Sequence, residues 1–194
     1  MAWRGVRQLD RLVLVGANPH TLETMKSNHS FDVAVVGGGP AGLSAACLAG
    51  VAGLQTAFWP GPVRAEDLRT TALMLPAIRL LEHVGVWTDD LKAECAALAR
   101  LQIRDATGRR PAAPTVTFEA HEIDRQEFGW NVPVAALVSA LTDRLKECSS
   151  VSIFEGGVSE LNCAGDLATV RSEAAAPVQV KAVIAADGQN SVCR

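Results

Sequence analysis

Apolar positions along this chain repeat with two periods, and the switches between them mark out the elements. Phe31-Asp32-Val33-Ala34-Val35-Val36 is a short, almost wholly apolar run. Such a run predicts a strand covered on both faces, as in a parallel sheet. Gly37 to Gly42 interrupts it, and Leu43 to Ala52, rich in Ala and Leu, predicts a helix that Gly53 ends. Leu54 to Trp59 predicts a second strand. Strand, turn, helix and strand together span about the 30 residues of a βαβ unit.

The pattern continues downstream. Pro76 suits the first turn of a helix, and Ile78, Leu81 and Val84 form its inward face. Thr88 predicts a cap for another helix, with Asp89 and Asp90 in the favourable first turn. Leu101 to Asp105 and Val116 to Phe118 alternate on either side of Thr107-Gly108, which predicts a hairpin. Leu137, Val138, Leu141 and Leu145 make one face of a helix over about 132–147. Val151 to Phe154 and Val183 to Ala185 predict two more parallel strands. Val158 to Leu161 and Leu167 to Val170, between them, predict antiparallel ones. The class is α/β, a Rossmann-like fold with a parallel sheet, and residues 101–120 begin an inserted second sheet.

Composition narrows the choices. At 194 residues the chain is one domain or one and a fraction. Hydrophobic residues make up 48% and charged residues 20%, which excludes a disordered chain. The net charge of −3 supplies no basic field for nucleic acid. The five cysteines, at 47, 95, 148, 163 and 193, are odd in number and lack C-x-x-C spacing. That pattern argues against a metal site or a disulfide framework and fits a reducing cytosol. No apolar run approaches the ~20 residues of a membrane helix. Residues 1–30 read as an N-terminal extension. Arg4, Arg7 and Arg11 precede the apolar Leu12 to Val15, but that patch is too short for a secretory signal. Met1 and Met25 both stand as possible starts.

The turn after the first strand carries the chemistry. Gly37, Gly39 and Gly42 form G-x-G-x-x-G between a predicted strand and a predicted helix. Gly37 permits the tight turn, Gly39 lets a pyrophosphate approach the backbone, and Gly42 lets the helix pack close. The helix start then offers free N–H groups and the positive end of its dipole to the phosphates. One part is missing. The second strand of such a unit normally ends on an acid that holds the adenosine ribose. Pro60 stands there, which leaves Glu66, Asp67 or a water for that task. His83 reads as solvated, His121 follows the hairpin with an approach to substrate as its minor reading, Cys47 reads as packing, and Trp59 and Trp130 as packing rather than stacking residues. No catalytic acid or base stands out.

Three blocks in order carry a resemblance. The first is Gly37-Gly38-Gly39-Pro40-Ala41-Gly42. The second is Asp67-Leu68-Arg69-Thr70-Thr71-Ala72-Leu73 running into Pro76 to Trp87, with Phe128 to Pro133 after it. The third is Ala186-Asp187-Gly188-Gln189-Asn190-Ser191-Val192-Cys193-Arg194. Together they resemble the single-component FAD-dependent aromatic hydroxylases, and most closely the UbiH family of ubiquinone biosynthesis. The likeness covers about residues 31–194. It implies a Rossmann-like FAD-binding fold, with the 101–120 hairpin as the start of a substrate-side sheet. It implies FAD contacts from Gly37, Gly39, Pro40, Ala41, Gly42, Arg69, Asp187 and Gly188, with Arg69 on a flavin phosphate. Pro60 in place of the ribose acid, and Val134 where many members have Asn, are departures.

The resemblance further implies a monooxygenase that uses NAD(P)H and O₂ to hydroxylate the ring of a polyprenyl phenol. The family's later Gly-Asp fingerprint has no counterpart before Arg194. The chain is thus expected to be the N-terminal portion of such an enzyme, with its C-terminal half missing. By itself it is expected to hold FAD weakly and to hydroxylate nothing. The expected location is the cytoplasm, with association to the inner membrane or a biosynthetic complex. Two other readings stay open: an NAD(P)-binding oxidoreductase, against which Pro60 counts, and an inactive fragment.

Overall fold

The computed structural model describes residues 31–62, 67–108, 113–189 and 191–194. The N-terminal extension read from the sequence, and Glu66, lie outside them. In chain order the elements are β1 (Phe31–Val36), α1 (Pro40–Val51), β2 (Thr56–Trp59), β3 (Thr70–Met74), α2 (Leu75–His83), α3 (Asp89–Ala93), β4 (Ala96–Leu98) and β5 (Arg100–Ile103). Then follow β6 (Val116–Glu119), a 3₁₀ turn at Ala120–Ile123, β7 (Gly129–Pro133), α4 (Val134–Lys146), β8 (Val151–Ile153), β9 (Val158–Ala164), β10 (Leu167–Ser172) and β11 (Val178–Ala185).

The expected parallel sheet is present. Its order is β8-β2-β1-β11-β10-β9. β1 lies between β2 and β11 and is parallel to both, and β8 adds in parallel beyond β2. β9, β10 and the first half of β11 run antiparallel, as their spacing predicts. Val33 to Val36 are buried, which explains why β1 reads as continuously apolar. At the other end of the strand, the Asp32 carboxylate takes the Lys181 ammonium at 2.7 Å and the Gln55 N–H at 3.0 Å. Those contacts tie the starts of β1, β2 and β11 together.

Each face of the sheet has its own core. On the helix side, Val35 and Phe58 meet Leu43 and Cys47 of α1 and Leu137, Leu141 and Leu145 of α4. The three leucines recur every fourth residue, so one stripe of α4 faces inward, and burying each contributes about 1.5–3 kcal/mol. Val138, expected with them, is only half-buried. On the other face, Ala34, Val36, Ala57 and Trp59 pack with Val158, Val170 and Val180. Trp59 is 1% exposed and stacks on Phe154 at 4.6 Å, so it is a core residue as expected.

α2 and α3 also follow the sequence reading. Ile78, Leu81 and Val84 are buried, and the Thr88 hydroxyl accepts from the Leu91 N–H at 3.3 Å. The β5–β6 hairpin forms a separate two-stranded sheet. Leu101 pairs with Phe118 and Ile103 with Val116 on one face, all partly open to solvent. On the other face Arg100 pairs with Glu119 at 2.6 Å.

The sequence reading has no counterpart for the three-stranded sheet β3-β7-β4. Its middle strand, Gly-Trp-Asn-Val-Pro, carries a glycine and a proline that normally mark breaks. A side chain on Gly129 would collide with the Leu73 carbonyl of β3. The glycine is there because the two backbones touch, a tertiary reason that no local pattern reveals. Two boundaries also move. α1 begins at Pro40 rather than Leu43, because proline takes the first helical position where its missing N–H costs nothing. β2 begins at Thr56 rather than Leu54, since Leu54 and Gln55 complete the turn out of α1.

Candidate dinucleotide site

β1 delivers the chain into the glycine turn, where each glycine has a separate physical cause. Gly37 has φ of +118°, which favours glycine, and a side chain there would strike the Ala186 carbonyl. Its own N–H donates to the Trp59 carbonyl at 2.7 Å. A side chain on Gly42 would strike the Gly37 carbonyl, so α1 rests directly on the turn. Gly39 differs from both. Its φ of −78° suits any residue, and a side chain there would meet nothing within 4 Å. The tight turn at Gly37 and the close packing of α1 at Gly42 are steric facts of this turn, while Gly39 only leaves space.

α1 starts at this turn with its N–H groups uncapped. Gly39 has no side chain to accept from them, Pro40 follows, and the first turn carries no acidic residue. The Leu43 N–H returns to the Gly39 carbonyl at 3.0 Å. The exposed Ala41 and the buried Gly42 lie between them. The positive end of a twelve-residue helix therefore starts beside the open space at Gly39, with no acidic residue in its own first turn. The sterically open Gly39 and the uncapped helix start fit the pyrophosphate of a dinucleotide such as FAD.

The structure brings the third block, Ala186 to Arg194, to the same place. The Ala186 N–H donates to the Val36 carbonyl at 2.7 Å, so the turn after β11 continues alongside β1. A Cβ on Gly37 would stand 2.8 Å from the Asp187 nitrogen. Gly188 has φ of +86°, a conformation that favours glycine. The Asp187 carboxylate accepts from the Ser191 hydroxyl at 2.7 Å and from the N–H groups of Val192 and Cys193 at 2.8 and 3.4 Å. Burial raises its pKa, but these bonds and one from its own backbone outweigh burial and hold it below the usual carboxylate value. Burial first, and then the same carboxylate, push the Cys193 thiol up to about 11. Asp187 thus braces the turn in which it sits.

The remaining residues singled out from the sequence fall elsewhere. Arg69 precedes β3, and its exposed guanidinium pairs with Asp67 through contacts of 2.6 and 2.8 Å. Its carbonyl accepts from Val134 N–H at 2.9 Å, which links β3 to the start of α4. Asp67, a candidate for the ribose, is committed to this pair. His83 is exposed, as expected, and His121 is exposed too. Cys47 is buried, donates to the Leu141 carbonyl at 3.4 Å, and has its thiol raised to about 11, first by burial and then by Cys148. Trp130 meets Trp87 edge-on at 5.7 Å and Lys92 at 5.0 Å, which is packing. Among the described residues no group of side chains could hold a metal, and no helix is long and apolar enough to cross a membrane.

Two features escaped the sequence reading. Gly38 lies against Pro60, where a Cβ would stand 2.6 Å from the proline carbonyl. A triple glycine offers no local signal for that contact. A cleft of about 360 Å³ also opens between α2 and residues 124–127, lined by Arg79, Glu82, Arg125 and Glu127. It shares no residue with the glycine turn.

The model of the family described as glucose inhibited division protein A matches residues 32–193. Among solved structures, the chain is similar to p-nitrophenol 4-monooxygenase PnpA from Pseudomonas putida DLL-E4, with 22% identity and a TM-score of 0.65 over 84% of this chain and 42% of that one. It is similar to OxyS anhydrotetracycline hydroxylase from Streptomyces rimosus, with 23% identity and a TM-score of 0.65 over 84% of this chain and 33% of that one. It is similar to the flavin-dependent monooxygenase PieE in complex with FAD and substrate, with 20% identity and a TM-score of 0.62 over 83% of this chain and 31% of that one. At these identities the likeness is one of fold, and the chain spans less than half the length of each of these structures. The family match covers nearly all of residues 31–194, the glycine turn and the Asp187 turn included, and the chain belongs to the glucose inhibited division protein A family.

Proposed function

We propose that this chain is the nucleotide-binding portion of an FAD-dependent monooxygenase that hydroxylates an aromatic ring. The observation that carries the reading is the meeting of the Gly37–Gly42 turn with the Asp187-Gly188 turn at the ends of β1 and β11. A fold shared with solved monooxygenases, one of them flavin-dependent and in complex with FAD, supports it. FAD, once reduced by NAD(P)H, would supply the oxygen chemistry. The chain's own residues bind and orient. The N–H groups at the start of α1 take the pyrophosphate, Gly39 leaves it room, and the Asp187 brace keeps the adjoining turn in place. Arg69, now paired with Asp67, is assigned to a phosphate oxygen on its place in the second block alone.

The substrate we assign is a polyprenylated phenol, a precursor of ubiquinone. The reading rests on the order and content of the three blocks from Gly37 to Arg194. The solved neighbours are two to three times longer and carry further segments. Hydroxylation is therefore assigned to this unit acting with segments of that kind. Deleting the gene should make a ubiquinone precursor lacking one ring oxygen accumulate, visible by mass spectrometry. An unchanged quinone pool would overturn the substrate. A chain that takes up no FAD at millimolar concentration would overturn the cofactor.

A further inference from the structure

In a βαβ unit of this kind, the end of the second strand normally supplies a carboxylate that accepts from the 2′-hydroxyl of the adenosine ribose. Here β2 ends on Trp59 and runs into Pro60. Pro60 is not remote from the glycine turn. A Cβ on Gly38 would stand 2.6 Å from its carbonyl oxygen and 3.0 Å from its Cβ. Residue 60 therefore borders the proposed pyrophosphate cradle.

Among the described residues no side chain at that border can accept from the hydroxyl. Proline has no side-chain acceptor and no backbone N–H, and its carbonyl faces Gly38. Gly61, next in the chain, adds no side chain. Trp59 is sealed in the core against Phe154, where its indole N–H is buried and unpartnered. Among the described residues the next acid along the chain is Asp67. Its two oxygens are held by the Arg69 guanidinium at 2.6 and 2.8 Å, and one of them also takes the Arg69 backbone N–H at 3.1 Å.

We propose that Pro60 makes this site indifferent to the ribose 2′-hydroxyl, so that the ligand is selected through its pyrophosphate while the sugar goes unread. The proposal rests on the reading of the glycine turn as a dinucleotide site. A carboxylate hydrogen-bonded to a hydroxyl alters affinity by about tenfold or more. Its loss should thus appear as an absent preference, not as an absent ligand.

The test is a calorimetric titration of the 194-residue chain with FAD, ADP-ribose and 2′-deoxy-ADP-ribose, carried to millimolar ligand. The two sugar forms should bind within about twofold of each other. Pro60→Glu restores the missing acceptor. It should tighten ADP-ribose by about tenfold and leave the deoxy form unchanged. A wild-type preference of tenfold or more for ADP-ribose would overturn the proposal with FAD binding intact, and that measurement needs no variant to fold. A Pro60→Glu chain that melts as cooperatively as the parent yet gains nothing for ADP-ribose would overturn it too. Failure of all three ligands to bind would overturn the dinucleotide reading itself, and the proposal with it.

Discussion

At Gly39 a side chain would meet open space, whereas at Asp187 the carboxylate is already taken by Ser191, Val192 and Cys193. The two turns sit side by side at the ends of adjacent parallel strands, yet they dispose of their polar groups in opposite ways. The first leaves helix N–H groups uncapped and keeps acids out of the first helical turn. The second satisfies its carboxylate internally. The contrast separates two situations that sequence blocks run together: one turn leaves its donors uncapped, and the other uses its carboxylate to hold the backbone beside them.

Substitutions should separate the two turns by what they damage. The largest effect is expected at Gly42. Gly42→Val drives a side chain into the Gly37 carbonyl, and α1 cannot back away without leaving the sheet. A loss of about 3 kcal/mol or more is expected, read as a lowered melting temperature or an insoluble chain. Gly39→Val should do the reverse. Its backbone is ordinary and its surroundings open, so stability should change by about 1 kcal/mol or less. FAD affinity should fall by about a hundredfold, because the side chain fills the space the pyrophosphate needs. Equal damage to stability and binding at Gly39 would erase the distinction between the turns.

Asp187→Ala should fall between these. Losing a charge-assisted set of hydrogen bonds should cost about 1–2 kcal/mol and loosen residues 188–194, leaving the sheet folded. FAD affinity should drop only severalfold, through the lost framing. The sign with pH follows from the lowered pKa. The carboxylate's contribution is complete above its ordinary value near 3.8 and is lost as pH falls through the lower value of the folded chain. Acid unfolding curves of wild type and Asp187→Ala should therefore converge in that window. The smallest effect belongs to Arg69→Ala. Its pair with Asp67 is exposed, so the melting temperature should stay that of the parent, while FAD affinity should fall by about threefold to fivefold through the lost phosphate contact. Unchanged affinity would confine Arg69 to its pair.

The parallel sheet was legible in the sequence because its strands and helices state their burial locally. β1 is apolar on both faces, α4 carries its leucines every fourth residue, and Thr88 caps α3 within three residues of its partner. The glycine turn was legible for a different reason: Gly37, Gly39 and Gly42 answer to demands of fixed spacing. What stayed hidden depends on contacts between distant segments. β7 contains Gly129 because β3 presses on it, and Gly38 is a glycine because Pro60 lies against it. Asp187 could be placed beside the site from its block, but only the fold shows its carboxylate turned back onto Ser191.

The central claim is that a dinucleotide binds through the open turn at the start of α1, and amide shifts report it most directly. A ¹⁵N-labelled chain titrated with FAD should show its largest perturbations at Gly38, Gly39, Ala41, Gly42 and Gly188. Changes across β5, β6 and the α2 cleft should be small. Perturbations centred on Arg79, Arg125 and Glu127 with the glycine turn silent would contradict the account.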